Sequence, residues 1–502
     1  MTDPTRAPGS AVAPYLWFGL FAALLTGYRL WIIGASEFPL FFDEAYYLDW
    51  SRDLDWGYYS KPPAVAVLLK ITTTLFGETP LGVKSGATLV YSLTAVVVAM
   101  IGHRLFDART GALSGAVFLT LPIVGGNSLF ATTDVPLLFF WALTIWAFLR
   151  ALAVNTWSWW LATGLFLGLG MLSKYTMVLL VPGLMLYLWF SEHRRLLWSG
   201  RLWSAFLLGF LVFLPNILWN AGNGFASFRH TAEISQLDRE LFHPEEGLAF
   251  FAGQLGVLGP LLFPWFLFFV GRRDTYGVPA TRVLALTALP ILVTVTVLAF
   301  LSRAHYNWAS PAYVSGTVLT AALLIKTGRL RWLGAAMAVN LLLLSVLYHY
   351  HAVLDLIGVQ ATAKIDPYRR VLGWREAGEG VRPWLDAYPD ARVASDSRKV
   401  LAYLSYYAQA HRHGLASWNP DGGVDHHYDL TVDLAEFAQS AFVFVSDDPL
   451  PDTLLSRFAE VTPLGRVEVT PYPDYSISLH GAYLRGFRGY PGNLTSRPAA
   501  GG

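Results

Sequence analysis

Residues 15–63 read YLWFGLFAALLTGYRLWIIGASEFPLFFDEAYYLDWSRDLDWGYYSKPP. From Tyr15 to Ala35 the only charged residue is Arg29. That stretch is long enough to cross a bilayer, which takes about 20 mainly apolar residues. It is too long for the core of a cleavable signal peptide and lacks a clear small-residue cleavage pattern, so a retained anchor is expected. Asp43-Glu44 follows eight residues later, and Lys61-Pro62-Pro63 closes the same loop. Ionisable groups beside a bilayer are costly to hold and mark a functional hypothesis by default. An acid pair followed by a proline-fixed lysine points to chemistry on a substrate with an anionic leaving group.

Composition agrees with a polytopic membrane protein. The 502 residues are 54% hydrophobic and 14% charged, with 19 Trp, 24 Tyr and 32 Phe, whereas soluble domains carry about 25% charged residues. The net charge of +1 provides no global field to recruit nucleic acid. The absence of cysteine excludes disulfides, thiolate metal sites and cysteine nucleophiles.

Eleven candidate spans can be marked, near 15–35, 84–102, 111–130, 135–150, 158–173, 176–191, 204–220, 251–271, 283–301, 309–325 and 332–350. Residues 62–76 are apolar but short, and fit an interfacial or re-entrant helix. With the N-terminus in the cytoplasm, the cytoplasmic loops gather Arg104, Arg109, Arg150, Arg194, Arg195, Arg201, Arg272, Arg273, Lys326, Arg329 and Arg331, as the positive-inside rule requires. The opposite face then receives the Asp43 loop, Asp134, Lys174, the 221–250 loop and the segment from Arg303 to Trp308. It also receives everything after about residue 351. There charges, Pro and Gly become frequent, and β-rich segments appear at 392–396, 441–445 and 475–479, with a helical pattern at 398–410. The expected organisation is a mainly α transmembrane bundle over 1–350 and a small extracytoplasmic α/β domain over 351–502. The last residues, NLTSRPAAGG, are expected to be disordered.

Several side chains on the expected outer face could do chemistry. Asp43 and Glu44 lie among Phe41, Phe42, Tyr46 and Tyr47, an aromatic and partly dry setting that makes a carboxylate a better base. The prolines after Lys61 disfavour helix at that residue and hold its ammonium at the start of an interfacial helix, where a snorkelling anchor is the structural alternative. Asp134 opens a span behind Thr132-Thr133, as an N-cap, a site residue or both. Lys174 sits between two apolar spans, where Gly, Ser or Asn would suffice for a turn. Arg303, His305 and Tyr306 collect a cation, an imidazole and a phenol at one membrane exit; a plain interfacial belt is the alternative. Arg29 could snorkel to the headgroups or face the interior. The acids would activate a nucleophile, while Lys61, Lys174, Arg303, His305, Tyr306 and Arg29 would hold a phosphate. Glycosyl transfer needs this set, because it passes through an oxocarbenium-like state and expels an oxyanion.

DEAYY…KPP from Asp43, the D-x-x-L-x-x-F pattern from Asp134 to Phe140, GLGMLSK ending at Lys174 and HYNWASPAY from His305 together resemble a known group. They are similar to the bacterial glycosyltransferases related to aminoarabinose transferase and the protein O-mannosyltransferases, integral membrane enzymes of the GT-C fold. The likeness covers about residues 15–325. It implies a polyprenyl-phosphate sugar donor and inversion at the anomeric carbon. It also implies that Asp43 acts as base or acceptor-orienting group and that Lys61 binds the lipid phosphate. The chain departs from the aminoarabinose enzymes in having fewer spans and a less arginine-rich late segment. Some relatives bind a divalent ion near the first-loop acids, and Asp43 with Glu44 would allow that without requiring it. Asp425-His426-His427 with Asp429 reads more simply as a surface turn than as a metal site.

The expected protein is therefore a glycosyltransferase of a bacterial inner membrane, with its site on the outer face. It would act on a polyprenyl-phosphate sugar and on lipid A, another glycan or a protein. A flippase for lipid-linked sugars would use similar charges, but nearer mid-membrane. A catalytically dead scaffold would not need the acids and lysines.

Overall fold

The computed structural model describes residues 9–35, 39–236 and 241–490. The tail expected to be disordered lies outside them. The chain forms two compact units. The first comprises Met1–Phe38, Asp55–Gly57 and Lys61–Tyr350, and the second Pro39–Leu54, Tyr58–Ser60 and His351–Gly502.

The regular elements of the first unit, among its described residues, are all helices. Among the described residues, six single helices are long and apolar enough to cross a membrane: Val12–Ala35, Pro80–Leu105, Asp134–Val154, Gly200–Gly222, Pro279–Leu301 and Leu330–Tyr348. Their ends follow from local chemistry. Thr79 accepts the Gly82 N–H with Pro80 in the first turn, and Asn155 ends its helix in the left-handed region at φ 48°. The other expected spans fall on shorter helices at Ala108–Thr120 with Pro122–Asn127, Trp157–Met171, Leu180–Trp189 and Ala312–Lys326. The KPP segment leads into the Ala64–Phe76 helix, short as expected.

Residues 251–271 do not form the straight helix their hydropathy suggests. Pro244–Val257 and Leu262–Val270 meet at 114°. The break falls at Gly259-Pro260, where Gly259 has φ +109° and a Cβ would lie 2.3 Å from Asn340 Oδ1. An L side chain fits neither that backbone nor that space.

With no hydrophobic drive between helices in lipid, small residues let backbones approach closely. Gly164 does this in the Trp157–Met171 helix, where a Cβ would lie 2.0 Å from the Ala205 carbonyl of the Gly200–Gly222 helix. Two buried polar side chains of this unit find backbone partners, which a bilayer core cannot supply. Lys84 is fully buried and donates to the Leu129 carbonyl at 3.1 Å, 4.7 Å above the Phe130 ring. Thr88 donates to the neighbouring Ser128 carbonyl at 2.7 Å.

The second unit has a five-stranded sheet of β1 (Arg392–Ser395), β2 (Leu415–Ser417), β3 (Phe442–Ser446), β4 (Phe458–Tyr472) and β5 (Tyr475–Phe487), in the order β2-β1-β3-β5-β4. β1 runs parallel to β2 and β3, and β5 antiparallel to β3 and β4. β3 is buried along its whole length, which explains its unbroken apolar sequence. β4 is mostly exposed and was not marked in sequence, because its Thr, Pro, Arg and Glu dilute the apolar alternation.

The first-loop helix Phe42–Arg52 is an integral part of this second unit. Its Tyr46 ring lies 5.2 Å from Tyr428. Trp50 stacks on Tyr58 at 4.4 Å, and the Leu40 N–H donates to the Tyr407 hydroxyl at 2.8 Å. Asp49 sits at the centre of the seam, where Ser405 and Tyr428 donate to its two oxygens and Arg52 pairs with it. Burial pushes the Asp49 carboxyl up, against the opposing pull of Arg52 and the two hydroxyls.

Candidate functional site

Within the first unit the structure brings together three of the sequence motifs. Asp134 begins the Asp134–Val154 helix and is buried. Lys174 lies just beyond the Trp157–Met171 helix, with extended backbone at φ −163°. Its ammonium is 2.6 Å from Asp134 Oδ1, while the Asn307 amide donates to Asp134 Oδ2 at 2.5 Å. One carboxylate thus holds a cation on one oxygen and an amide on the other. Lys174 has three N–H donors, and this ion pair uses one of them. The turn carrying Lys174 is tied to the KPP segment, since the Ala64 N–H donates to the Leu172 carbonyl at 3.0 Å. Lys61, three residues upstream of Ala64, is partly buried.

The late segment is fixed from beneath. Gln254 donates to the Tyr306 carbonyl at 3.2 Å and accepts from the Tyr313 hydroxyl at 2.7 Å. A Cβ at Gly253 would lie 2.4 Å from the Tyr306 ring, so glycine makes room for it. Asn307 is thereby aimed at Asp134, while Arg303, His305 and Tyr306 remain exposed on the same turn. The His305 ring stands edge-on to Trp308 at 5.3 Å.

Arg29 faces the interior. Fully buried, it donates to the Leu119 carbonyl at 2.7 Å, to the Tyr348 hydroxyl at 3.0 Å and to Ser128 Oγ at 3.3 Å. All three nitrogens bind protein partners, and Tyr348 passes the contact on to the Gly125 carbonyl at 2.8 Å.

Asp43 and Glu44 belong to the second unit and have different environments there. Glu44 is buried and accepts the Phe41 N–H at 2.9 Å, capping its own helix. Asp43 keeps 35% of its side chain exposed and faces Arg398 at 4.0 Å. The Arg398 guanidinium lies over the Phe42 and Tyr46 rings at 5.3 and 5.2 Å, an arrangement that favours a delocalised cation. Sequence reading passed over both Arg398 and Asn307. Arg398 resembles an ordinary first-turn residue behind the Ser397 cap, and Asn307 carries no charge. The one available signal was adjacency to residues already singled out.

Among the described residues, no group of three or more His, Asp or Glu could hold an ion. At the acid pair, Glu44 is engaged as a cap. In the His426 turn, the Asp429 carboxylate accepts Ser417 Oγ at 2.7 Å and the Asp425 and His426 N–H groups at 3.0 and 3.1 Å. Burial lowers His426 to about 4 and His427 to about 3. These are packing histidines.

The sequence family described as dolichyl-phosphate-mannose-protein mannosyltransferase matches residues 60–219, which include Lys61, Asp134 and Lys174. The apo crystal structure of ArnT from Cupriavidus metallidurans superposes with a TM-score of 0.63 at 15% identity, covering 93% of this chain and 98% of that one. The chain therefore shares the fold of that ArnT structure. Among relatives by sequence, the lipid A galacturonosyltransferase RgtD of Rhizobium johnstonii is 33% identical over 310 residues, 60% of this chain and 64% of the relative. The undecaprenyl phosphate-alpha-4-amino-4-deoxy-L-arabinose arabinosyl transferase of Erwinia tasmaniensis is 30% identical over 174 residues, 34% of this chain and 30% of the relative. The matches thus span less than two thirds of either relative.

Proposed function

We propose that this chain is a membrane glycosyltransferase that takes a sugar from a polyprenyl phosphate and inverts the anomeric carbon. The observation that supports it most is the buried Asp134–Lys174–Asn307 contact. Three motifs far apart in sequence meet there, with the KPP segment tied alongside through Ala64 and Leu172. On this reading Asp134 is the residue that aims Lys174. Lys61, Lys174 and Arg303 stabilise charge on the departing phosphate, and His305 and Tyr306 add polar contacts to it. In a site of low effective dielectric such groups gain strength as charge develops. Asp43 takes the proton from the acceptor hydroxyl or phosphate, or orients it, and Glu44 sets the helix that presents Asp43. Arg29 is better used as an interior lock than as a phosphate ligand, since it is fully buried and each of its three nitrogens already donates to a protein partner.

The remaining features of the proposal are eleven membrane crossings, a site and second unit on the outer face of a bacterial inner membrane, and an acceptor of the lipid A, glycan or protein class. Relatives named as lipid A and undecaprenyl-phosphate sugar transferases support transfer over flipping.

The test uses protein purified in detergent with an undecaprenyl-phosphate-linked sugar and an acceptor. Release of free undecaprenyl phosphate without sealed vesicles is expected. Asp43→Asn should lower it by about 10²-fold or more, the range for loss of a general base. An Asp43→Asn protein with full turnover would remove Asp43 from the mechanism, and a strict need for sealed vesicles would return the chain to the transporter class.

A further inference from the structure

The second unit contains a cavity of about 330 Å³ that the transfer chemistry above does not use. It begins with a pinned turn. The buried Asp366 carboxylate accepts the Tyr368 N–H at 2.7 Å and the Tyr472 hydroxyl at 2.8 Å, and pairs with His351 at 2.6 Å. Tyr403 then donates to the Arg370 carbonyl at 2.8 Å. The backbone of Arg369-Arg370 is therefore held from two sides while both side chains remain exposed. Phe42, Trp374, Lys399 and Tyr475 complete the lining.

The charges and rings divide the cavity into two kinds of surface. Lys399 lies 5.1 Å over Trp374 but is shared with Asp447 at 2.6 Å. Arg369 makes one 3.3 Å bond to the Ala363 carbonyl. Among the described residues, neither Arg369 nor Arg370 pairs with an acidic side chain, so the two guanidinium groups are the anion-seeking elements. Trp374 is fixed by stacking on Tyr403 at 4.4 Å, and Tyr475 is 40% exposed. Flat rings beside a forked cation suit a sugar ring that carries an anionic group. The rings cover the apolar C–H face and arginine takes the oxygens two at a time. The volume lies within the usual range for small-ligand sites.

We infer that this cleft binds an acidic saccharide, a sugar ring bearing a phosphate or carboxylate. Phe42, which lines it, immediately precedes Asp43 in the first-loop helix. Naming the ligand as the acceptor's head group rests on the transferase reading, whereas the binding itself does not.

The test measures binding to the full chain in detergent, without donor, by calorimetry with glucose 1-phosphate, glucuronate, glucose and inorganic phosphate. The two acidic sugars should bind, glucose should bind at least about 10-fold more weakly, and R369Q/R370Q should lose about 10- to 100-fold, as expected for removing charge-assisted hydrogen bonds. Tyr475→Ala should weaken the sugar phosphate more than inorganic phosphate. A phosphorylated glycolipid in mixed micelles that competes with glucose 1-phosphate shows that a lipid-borne head group can be the source; binding without competition by the lipid assigns the cleft to free acidic sugars. Acidic-sugar affinity unchanged in R369Q/R370Q, or inorganic phosphate binding as tightly as the sugar phosphate, would overturn the inference. So would no binding by any probe, free or lipid-borne. Because no transfer is measured, a chain that binds acidic sugars but moves none would sink the transferase reading alone.

Discussion

Lys174 Nζ and Asp134 Oδ1 lie 2.6 Å apart across forty residues of chain, with both side chains largely buried. A cation held this way carries one fixed partner and two further donors. It is restrained enough to be aimed, yet able to accept a second anion.

Removing either partner should do more than remove a contact. An uncompensated buried charge destabilises by about 3–5 kcal/mol. Lys174→Ala and Asp134→Ala should each lower the thermal midpoint in detergent, while the double variant should be less destabilised than the sum of the two. Transfer should be lost whenever Lys174 is absent. Strictly additive midpoint shifts would show that the pair is not coupled.

The docking of the first-loop helix hangs on Asp49. Tyr428→Phe removes one hydroxyl from a buried carboxylate, which should weaken the second unit by about 1–3 kcal/mol. Hydrogen exchange should quicken selectively over residues 42–52. Unchanged protection there would mean that the aromatic seam of Tyr46, Trp50 and Tyr58 suffices.

Acid should loosen the same seam. His427 packs edge-on against Trp50 and Tyr58, and burial lowers it to about 3, from an ordinary value of 6.5. The unfolded chain therefore binds the proton first. Stability contributed by the neutral ring is complete above about pH 6.5. It falls as the pH drops toward 3, by at most about 1.4 kcal/mol per unit for each such histidine. Denaturation followed between pH 7 and 4 should show this slope, and His427→Gln should flatten it. An equal slope in the variant would assign the acid sensitivity to carboxylates.

Gly259→Ala should destabilise the bent helix pair by about 1–3 kcal/mol, because φ +109° is closed to alanine and the added methyl meets Asn340. The double variant with Asn340→Ala relieves the collision but not the backbone, so its thermal midpoint should recover only in part. Full recovery would place the whole penalty in the collision.

Much of the helical unit was legible from hydropathy and capping. Length and apolarity suffice to mark Pro80–Leu105 or Pro279–Leu301, because in lipid the backbone must satisfy itself within the segment. The 114° break was less visible, since a Gly-Pro pair inside an apolar run does not alter the mean. Among the site residues, Asp134 and Lys174 could be nominated as charges beside a bilayer, but Asn307 could not, because an amide carries no such penalty.

What the amino-acid order determined by itself was the apolar bundle, the change of character after His351 and a short roster of ionisable groups too costly to be there by chance. Only the tertiary structure decided which of them meet. Lys174 pairs with Asp134, Arg29 is enclosed by Leu119, Ser128 and Tyr348, and the helix bearing Asp43 joins the second unit through Asp49, Ser405 and Tyr428. The reason is physical. Hydropathy is a sum over neighbours in the chain, whereas a hydrogen bond or ion pair depends on distances of about 3 Å between atoms whose separation in sequence is unconstrained.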